Sequence, residues 1–386
     1  MMNYELTAEQ KNTKKVIGAF CQEAIAPTAA LFEQNPKEKV AEMMKANLRK
    51  LAGAGYLDLA LGDDIVGFTV AAEALAKACP STFLAAMSSA TAYGTPLKMF
   101  GTPNQRSRYL PAVIKGDCIG GLACAESDAG SDLNGIKTVA EKKGDGWVLQ
   151  GSKYLVTNAP IADALLVLAW TDRGAGLEKG LSFFILKKGT RGATVGQPLE
   201  TMGLRGALIS EVVLEKCELG ADALLGGEAG RGYEQFVKVS ERIKLALAAM
   251  SVGLGVACME DATKYAKTRT AFAKPIGLFE GVGAKLAIMF TYNDLGRMLT
   301  NRAAWAMEKQ DPEAPVLASC AKLFTSEAVN EIADLAMQIH AGHGYVKGTT
   351  VERLYRDARY AVIAHGTSEM QRAFIARDSL DKFKAA

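Results

Sequence analysis

The chain has 386 residues, of which 49% are apolar and 23% charged, a balance that predicts a folded protein with one or more sizeable cores. Lysine and arginine number 45 against 42 aspartate and glutamate, so the net charge of +3 gives no reason to expect a nucleic acid partner. The longest strongly apolar stretch, Leu245–Met259, is shorter than the roughly 20 residues that span a bilayer, which favours a buried core helix and no membrane contact.

The start of the chain and its cysteines bear on the compartment. Met1–Glu5 is not a basic region followed by an apolar run, so no secretory signal is expected, and its acidic residue argues against a mitochondrial transit peptide. The seven cysteines are scattered without a CxxC pair, which is typical of reduced thiols. A bacterial cytoplasm is therefore the expected location.

The N-terminal third is predicted to be helical. Thr7 followed by Gln10 offers a helix start, and apolar residues continue at loose helical spacing. The alanine-rich stretches Val70–Ala78 and Phe83–Ala92 are typical of tightly packed helices. Pro80 marks the break between them.

The middle third is predicted to form a small β domain. Lys143-Gly144-Asp145-Gly146 is a hairpin signal between the β-rich runs Lys137–Glu141 and Trp147–Leu149. Three further β-rich runs follow, namely Ala164–Trp170, Leu181–Lys187 and Ser210–Leu219. The pattern then returns to helices, beginning with Gly232–Lys267. This order predicts a mostly α fold with an inserted β domain, divided into residues 1–117, 118–224 and 225–386.

Two polar features were considered as sites. Ala125–Asp132, at the entry to the β domain, is rich in small and acidic residues that can present backbone N–H groups to an anion or a flat ring, with a surface loop as the alternative. His340 and His343 are three residues apart, but glycines interrupt their helix and no further ligand has a suitable spacing. No metal site is predicted, and these histidines are expected to be loop or interface residues.

Glu241 is a third feature. It heads an apolar face of the predicted helix, with Leu245, Ala248 and Val252 following at steps of four, three and four residues. A carboxylate in that place is either a solvated end residue or a buried functional acid, and the pattern alone leaves both open.

Ordered motifs span nearly the whole chain. They are Glu126–Asp132, Gly151–Asn158, Met202–Gly206, Leu224–Glu228, Arg269–Ile276, Gln338–Tyr345, Arg356–Ala358 and Gly366–Glu369. Their residues and order resemble the landmarks of the acyl-CoA dehydrogenase family. The resemblance implies an N-terminal helical domain, a central β barrel or sheet domain and a C-terminal four-helix bundle, assembled as a homotetramer or dimer of dimers.

The resemblance also implies FAD, bound between the β domain and the C-terminal bundle. The residues expected beside the cofactor are Ala125, Ser131, Leu155 and Thr157 on the flavin side, Arg269, Phe272, Gln338 and Gly342 at the ADP end and in part across a subunit interface, and Thr367 and Glu369 near the phosphates and ribose. Four positions depart from the family's pattern. His365 replaces a glutamate, Leu155 a tryptophan, Ala125 a threonine and Ser127 a proline.

The family's reaction removes a proton from the carbon α to a thioester and a hydride from the β carbon. The base must be ionised yet basic, a balance that burial of a carboxylate favours. A branch of the family, including isovaleryl-CoA and long-chain acyl-CoA dehydrogenases, carries its glutamate on the bundle helix just before an arginine, as in Glu241-Arg242. The resemblance thus implies Glu241 as the base, with Arg242, His365 and Gly366 at the substrate. His365 as the base, or no conventional base, are the alternatives.

The acyl pocket gives one clue to the substrate. Glutaryl-type members of the family that this chain resembles carry an arginine in one segment of the pocket. The corresponding segment here is Phe83–Ser88, which contains no lysine or arginine. A second carboxylate would lie unpaired in a dry pocket, so an uncharged short or medium acyl group, straight, branched or cyclic, is expected. Electrons would pass to an electron-transfer flavoprotein. The alternatives are a catalytically silent partner subunit of a hetero-oligomer, or a relative that performs ring dehydrogenation or elimination.

Overall fold

Helices make up the N-terminal part of the fold. The computed structural model describes residues 5–382, so the expectation of no leader, which rests largely on residues 1–4, lies mostly outside the described residues. The helices are α1 (Ala8–Phe20), α2 (Thr28–Gln34), α3 (Lys37–Gly53), α4 (Tyr56–Leu61), α5 (Ile65–Ala78), α6 (Pro80–Ala86), α7 (Thr95–Phe100) and α8 (Pro103–Ile114). Two π-helical segments, Cys21–Ile25 and Met87–Gly94, continue α1 and α6.

Local sequence explains where two of these helices begin. The Thr7 hydroxyl accepts the Gln10 N–H at 3.2 Å and the Gln10 side chain accepts the Thr7 N–H at 3.1 Å, so the predicted start of α1 is a capping box. Pro80 opens α6, where its fixed φ suits the first turn. The segment predicted as one helix from Phe83 instead becomes π-helical at Met87, and it is buried throughout.

The middle of the chain forms one seven-stranded sheet. Its strands are β1 (Gly120–Ala123), β2 (Val139–Lys143), β3 (Gly146–Thr157), β4 (Ala164–Trp170), β5 (Leu181–Lys187), β6 (Ala193–Val195) and β7 (Ile209–Leu219). They are ordered β1-β4-β2-β3-β7-β6, with β5 also paired to β4. The predicted hairpin turn lies between β2 and β3, but β2 begins and ends two residues later than predicted and β3 continues to Thr157. The predicted domain borders, 117/118 and 224/225, fall in connecting segments and remain a prediction.

A bulge in β3 shapes one edge of the site. Lys153 pairs with Val212 and Val156 with Ser210, so one extra residue is accommodated in β3. Leu155 lies in this bulge with φ 57° and is 54% exposed. The neighbouring Tyr154 N–H donates to the Ala125 carbonyl at 2.8 Å. The bulge therefore brings Ala125, Leu155 and the end of β3 together.

Long helices form the C-terminal bundle, which consists of α10 (Gly232–Thr268), α11 (Glu280–Glu308), α12 (Ala314–His340) and α15 (Ser368–Lys382). The short helices α9 (Gly176–Gly180), α13 (Thr350–Ala358) and α14 (Tyr360–Ile363) complete the set. Among the described residues, α10 alone is long and apolar enough to cross a membrane, yet 72% of its most apolar window is buried within the protein. It packs on α5, α11 and α12 as a core helix.

Candidate active site

Glu126 anchors the loop that follows β1. Its carboxylate accepts the backbone N–H groups of Lys137 at 2.7 Å and Thr138 at 3.0 Å, the Thr138 hydroxyl at 2.6 Å, and the buried Lys153 ammonium at 2.8 Å. Burial would raise the pKa of Glu126, but Lys153 and these hydrogen bonds outweigh burial and lower the pKa. Glu126 is thus an internal anchor, and the loop beyond it presents Ser131 to solvent.

Thr157 lies at the end of β3, where three elements meet. Burial raises the pKa of the Tyr360 phenol in α14, and a hydrogen bond with Thr157 opposes that shift. The next residue, Asn158, donates its side-chain N–H groups to the Ala85 and Gly120 carbonyls, both at 2.9 Å. These contacts fix the end of β3 against α6, β1 and α14, and with it the predicted flavin-side residues.

Glu241 stands at the edge of the buried face of α10. Its side chain is 15% exposed, and the Lys238 ammonium lies 3.4 Å from its carboxylate. The adjacent Arg242 is buried and donates to the carbonyls of Gly62 at 3.0 Å and Ala60 at 3.4 Å. Burial lowers the pKa of Arg242 to about 10. Arg242 therefore fastens α10 to the N-terminal helices and fixes the direction in which Glu241 projects.

His365 and Gly366 form a tight turn before α15. Both residues have left-handed backbones, with φ values of 49° and 90°. The Gly366 carbonyl accepts the Lys322 ammonium at 2.7 Å and the Gln371 side chain at 3.0 Å. Burial, reinforced by Lys322, lowers the pKa of His365 to about 4, so its imidazole is neutral at pH 7. Thr367 caps α15 by accepting the N–H of Met370 at 3.4 Å.

Lys322 was missed by the sequence analysis. It is fully buried in α12, where it is the cation nearest to the His365 turn. The available signal was its place on an apolar helical face that includes Ala318, Ala321 and Val329. A lysine on such a face is rarely buried without a specific partner.

The predicted ADP-end residues lie at the other end of the bundle. Arg269 directly follows α10, and its side chain is exposed and forms no ion pair within residues 5–382. Phe272 and Ala273, with φ values of 50° and 64°, form the tip of a hairpin between β8 (Thr270–Ala271) and β9 (Lys274–Pro275). Phe272 is 90% exposed, and Gln338 and Gly342 are exposed at the end of α12.

His340 was expected in a loop or at an interface, but it is the last residue of α12 and is buried. Its Nδ1 lies 2.8 Å from the Ala336 carbonyl and its Nε2 3.5 Å from the Asp261 carboxylate. The ring of Tyr265 stacks on His340 with centroids 4.4 Å apart and on His343 at 5.6 Å. This stack joins the end of α12 to the last turns of α10, the end that leads to Arg269.

Two long helices separate parts of the predicted site within one chain. Glu241 and Thr268 are 27 residues apart on α10, which corresponds to about 40 Å at 1.5 Å per residue. Lys322, beside the His365 turn, and Gln338 are 16 residues apart on α12, or about 24 Å. The pocket around Glu241 and the His365 turn therefore lies far along the bundle from Arg269 and Gln338.

Comparison with known proteins identifies the family. The N-terminal, middle and C-terminal domain families of acyl-CoA dehydrogenases match residues 7–117, 121–217 and 230–380. The probable acyl-CoA dehydrogenase YngJ of Bacillus subtilis (strain 168) is 34% identical over 98% of this chain and 100% of its own length. The structure of butyryl-CoA dehydrogenase from Megasphaera elsdenii matches with a TM-score of 0.89 at 29% identity, over 98% of this chain and 100% of that one.

A cofactor-bound structure also matches. The FAD complex of PigA has a TM-score of 0.89 at 26% identity, over 98% of this chain and 99% of that chain. The expected architecture of helical domain, central sheet and C-terminal bundle is confirmed by these matches. With all three of its domain families matched, the chain belongs to the acyl-CoA dehydrogenase family of flavoprotein oxidoreductases.

Proposed function

We propose that this protein uses FAD to oxidise the α,β bond of an uncharged short or medium acyl-CoA, straight, branched or cyclic, in a bacterial cytoplasm. Electrons would then pass to an electron-transfer flavoprotein. Family membership gives the reaction class. The observation that carries the assignment is Glu241, a carboxylate only 15% exposed at the head of the buried face of α10. Arg242 fixes the helix behind it.

The residues present fit FAD. Thr157 and the backbone at Ala125 place polar groups beside the β3 bulge, where Leu155 offers an apolar surface, and Ser131 carries an exposed hydroxyl on the loop beyond Glu126. The Ser368 hydroxyl is buried without a partner among the described residues, directly between Thr367 and Glu369. Arg269 is an exposed cation that suits a pyrophosphate. When bound, FAD accepts the hydride from the β carbon of the substrate.

In this proposal Glu241 takes the α proton, and the substrate lies against Arg242, His365 and Gly366. A neutral His365 can donate one hydrogen bond and accept another, so it suits a pocket wall. Because its pKa is held near 4, His365 would be a weak proton acceptor at pH 7. The preference for Glu241 as the base rests on its place beside Arg242 at the head of the buried face of α10.

Two features support a homotetramer, or dimer of dimers. The ADP-end group lies about 40 Å along α10 from Glu241, so Arg269, Phe272, Gln338 and Gly342 would complete the site of another subunit. The same part of the chain exposes large apolar side chains, Phe272, Leu278, Phe290 and Tyr345. Exposed apolar surface of this kind marks an interaction site.

A silent partner subunit of a hetero-oligomer is the second candidate. Ala125 and Leu155 favour it, because each lacks a polar or aromatic group that the family pattern places there. Purified protein that stays colourless after incubation with FAD would support this candidate. Bleaching by a cyclic thioester whose product carries the new double bond beyond the α,β position would support ring dehydrogenation, whereas a thioester that reacts without bleaching the flavin would support elimination.

A panel of acyl-CoA thioesters tests the substrate class. Butyryl-, isovaleryl- and cyclohexanoyl-CoA are expected to bleach the flavin faster than glutaryl-CoA, because Phe83–Ser88 offers no cation to a second carboxylate. Stopped-flow absorbance under single-turnover conditions measures the rates. Monomethyl glutaryl-CoA is the matched control, since it removes the charge and keeps the length. Fastest bleaching by glutaryl-CoA itself would contradict the proposed pocket.

Arg269→Ala is expected to reduce FAD retention, because it removes a charge-assisted contact to the pyrophosphate, whereas Arg269→Lys should retain part of it. Flavin content after gel filtration measures the loss.

If the site is shared, tetramers mixed from Arg269→Ala and Glu241→Gln subunits should regain sites with both native residues. Mixed tetramers no more active than the average of the two parents would show that both residues serve one subunit's site.

A further inference from the structure

Two lysines lie inside the C-terminal bundle beside the His365 turn. Lys322 of α12 is fully buried, and its ammonium donates to the Gly366 carbonyl at 2.7 Å. Lys244 of α10 donates to the Ser319 hydroxyl at 3.0 Å and lies 4.7 Å from the centroid of the Phe374 ring. Within residues 5–382 neither lysine forms an ion pair with a carboxylate. Buried cations without a counter-charge are costly, so their retention calls for a reason.

The charged groups that act on Lys322 lie on three helices. Lys244 faces it from α10, Glu369 from α15 and Glu327 from its own helix. Burial, reinforced by Lys244, lowers the pKa of Lys322 to about 8, against the opposing effect of the two glutamates. Glu327 is shared with Arg372, whose guanidinium lies at 2.6 Å. Lys322 is in turn the charge that acts on His365, and it disfavours a second positive charge there.

The turn itself requires support. His365 has a left-handed backbone although it is not glycine, and such a conformation persists where the surroundings hold it. The Gly366 carbonyl is fixed by two donors, the Lys322 ammonium and the Gln371 side chain. A Cβ at Gly366 would lie 2.6 Å from the Gln371 side-chain nitrogen, so this contact also requires glycine.

We propose that Lys322 is a positioning residue for the active site, which holds the His365–Gly366 turn against α12 and adds to the burial that keeps the His365 imidazole uncharged. The inference rests on the proposed function only in assigning this turn to the substrate pocket. Lys244 lies one helical turn from Glu241 and is coupled to it. A series of interacting titratable groups thus leads from the proposed base to the pocket wall, namely Glu241, Lys244, Lys322 and His365.

The consequence for the reaction is electrostatic. A protonated His365 would place a cation in the pocket wall, where it would favour ionised over protonated Glu241 and so weaken Glu241 as a proton acceptor. Burial opposes this charge first, and Lys322 adds to the effect by making a further positive charge at His365 unfavourable. Without Lys322 the pKa of His365 would lie higher, because burial alone would oppose the charge.

Histidine NMR tests the inference directly, because the chain has three histidines and His365→Asn identifies one of their signals. In the wild-type holoprotein, labelled with ¹³C at histidine Cε1, the His365 signal should not titrate between pH 5.5 and 8. Lys322→Met should move its midpoint upward, although burial still holds it below the ordinary histidine value. Lys322→Arg should leave the midpoint where it is, since charge and donor remain. Lys244→Met is the matched control and should leave it nearly unmoved, because Lys322 and its contact with the Gly366 carbonyl are retained.

Two results would overturn the inference. One is a His365 midpoint near 6.5 in the wild type, and the other is a midpoint unmoved by Lys322→Met. If Lys322→Met does not fold, Lys322→Gln carries the test, because it removes the charge and keeps a hydrogen-bond donor. The readout does not depend on turnover. An unreactive acyl-CoA panel together with the expected titrations would reject the proposed substrate and leave the role of Lys322 intact.

Discussion

Glu241→Gln is expected to keep the fold, the flavin and acyl-CoA binding while it loses most of its reductive half-reaction. Glutamine has nearly the same size, so the main change is the loss of the proton acceptor. Removal of a general base costs about 10²–10⁴ in rate, and an obligatory base places the loss at the upper end. Single-turnover bleaching of FAD with the best thioester of the panel measures the effect.

His365→Asn is the matched control, because it removes the other titratable side chain assigned to the pocket. It should slow flavin reduction far less than Glu241→Gln. Glu241→Asp should retain part of the activity, since a carboxylate remains on a shorter side chain. If Glu241→Gln reduces normally and His365→Asn is inactive, His365 is the base. If both variants remain active, the reaction takes its proton elsewhere, and ring dehydrogenation or elimination becomes the better proposal.

Glu126→Gln is expected to destabilise the protein by about 3–5 kcal/mol, since removal of one partner leaves a buried charge without compensation. Lys153 is fully buried, and its other acceptor is the Cys124 carbonyl at 3.0 Å. Lys153→Met combined with Glu126→Gln should recover part of the loss. Glu218→Gln is the surface control, because its pair with Lys143 is exposed on both sides, and it should change little.

Urea unfolding followed by fluorescence measures these differences, and their pH dependence has a definite sign. The pKa of Glu126 is lower in the folded protein than its ordinary value of 4.5. Its contribution is therefore present above that value and is lost as the pH falls through the lower, folded value. The gap between wild type and Glu126→Gln should narrow in acid. Equal stability at pH 7 would contradict the anchoring role of Glu126.

The sequence predicted the sheet well where physical constraints are local. Ala164–Trp170 and Leu181–Lys187 match β4 and β5 because both are continuous apolar runs buried on both faces. The hairpin turn at Gly144-Asp145 was predictable because the residues themselves permit the required backbone. The π-helical segment Met87–Gly94 was not, since its alanine, serine and threonine residues are equally compatible with an ordinary helix.

For the site, the sequence again predicted local features but not contacts between distant residues. Motif resemblance pointed to Glu241 and Thr157 because their local sequences are distinctive. Nothing in the residues around Lys322 indicates that its ammonium reaches a carbonyl 44 positions later. His340 was expected in a loop or interface because glycines follow it, yet stacking on Tyr265 keeps it buried in the last turn of α12. The positions of Lys322 and His340 both depend on contacts with residues that are distant in the sequence.

The length of α10 has a consequence for how the holoprotein behaves on dilution. If one subunit supplies the pocket around Glu241 and another supplies Arg269, flavin occupancy and subunit association are thermodynamically linked. Each bound FAD then stabilises the assembly, and each dissociated subunit releases cofactor. The apparent affinity for FAD would rise with the total protein concentration, and a dilute sample would lose its colour without any chain unfolding.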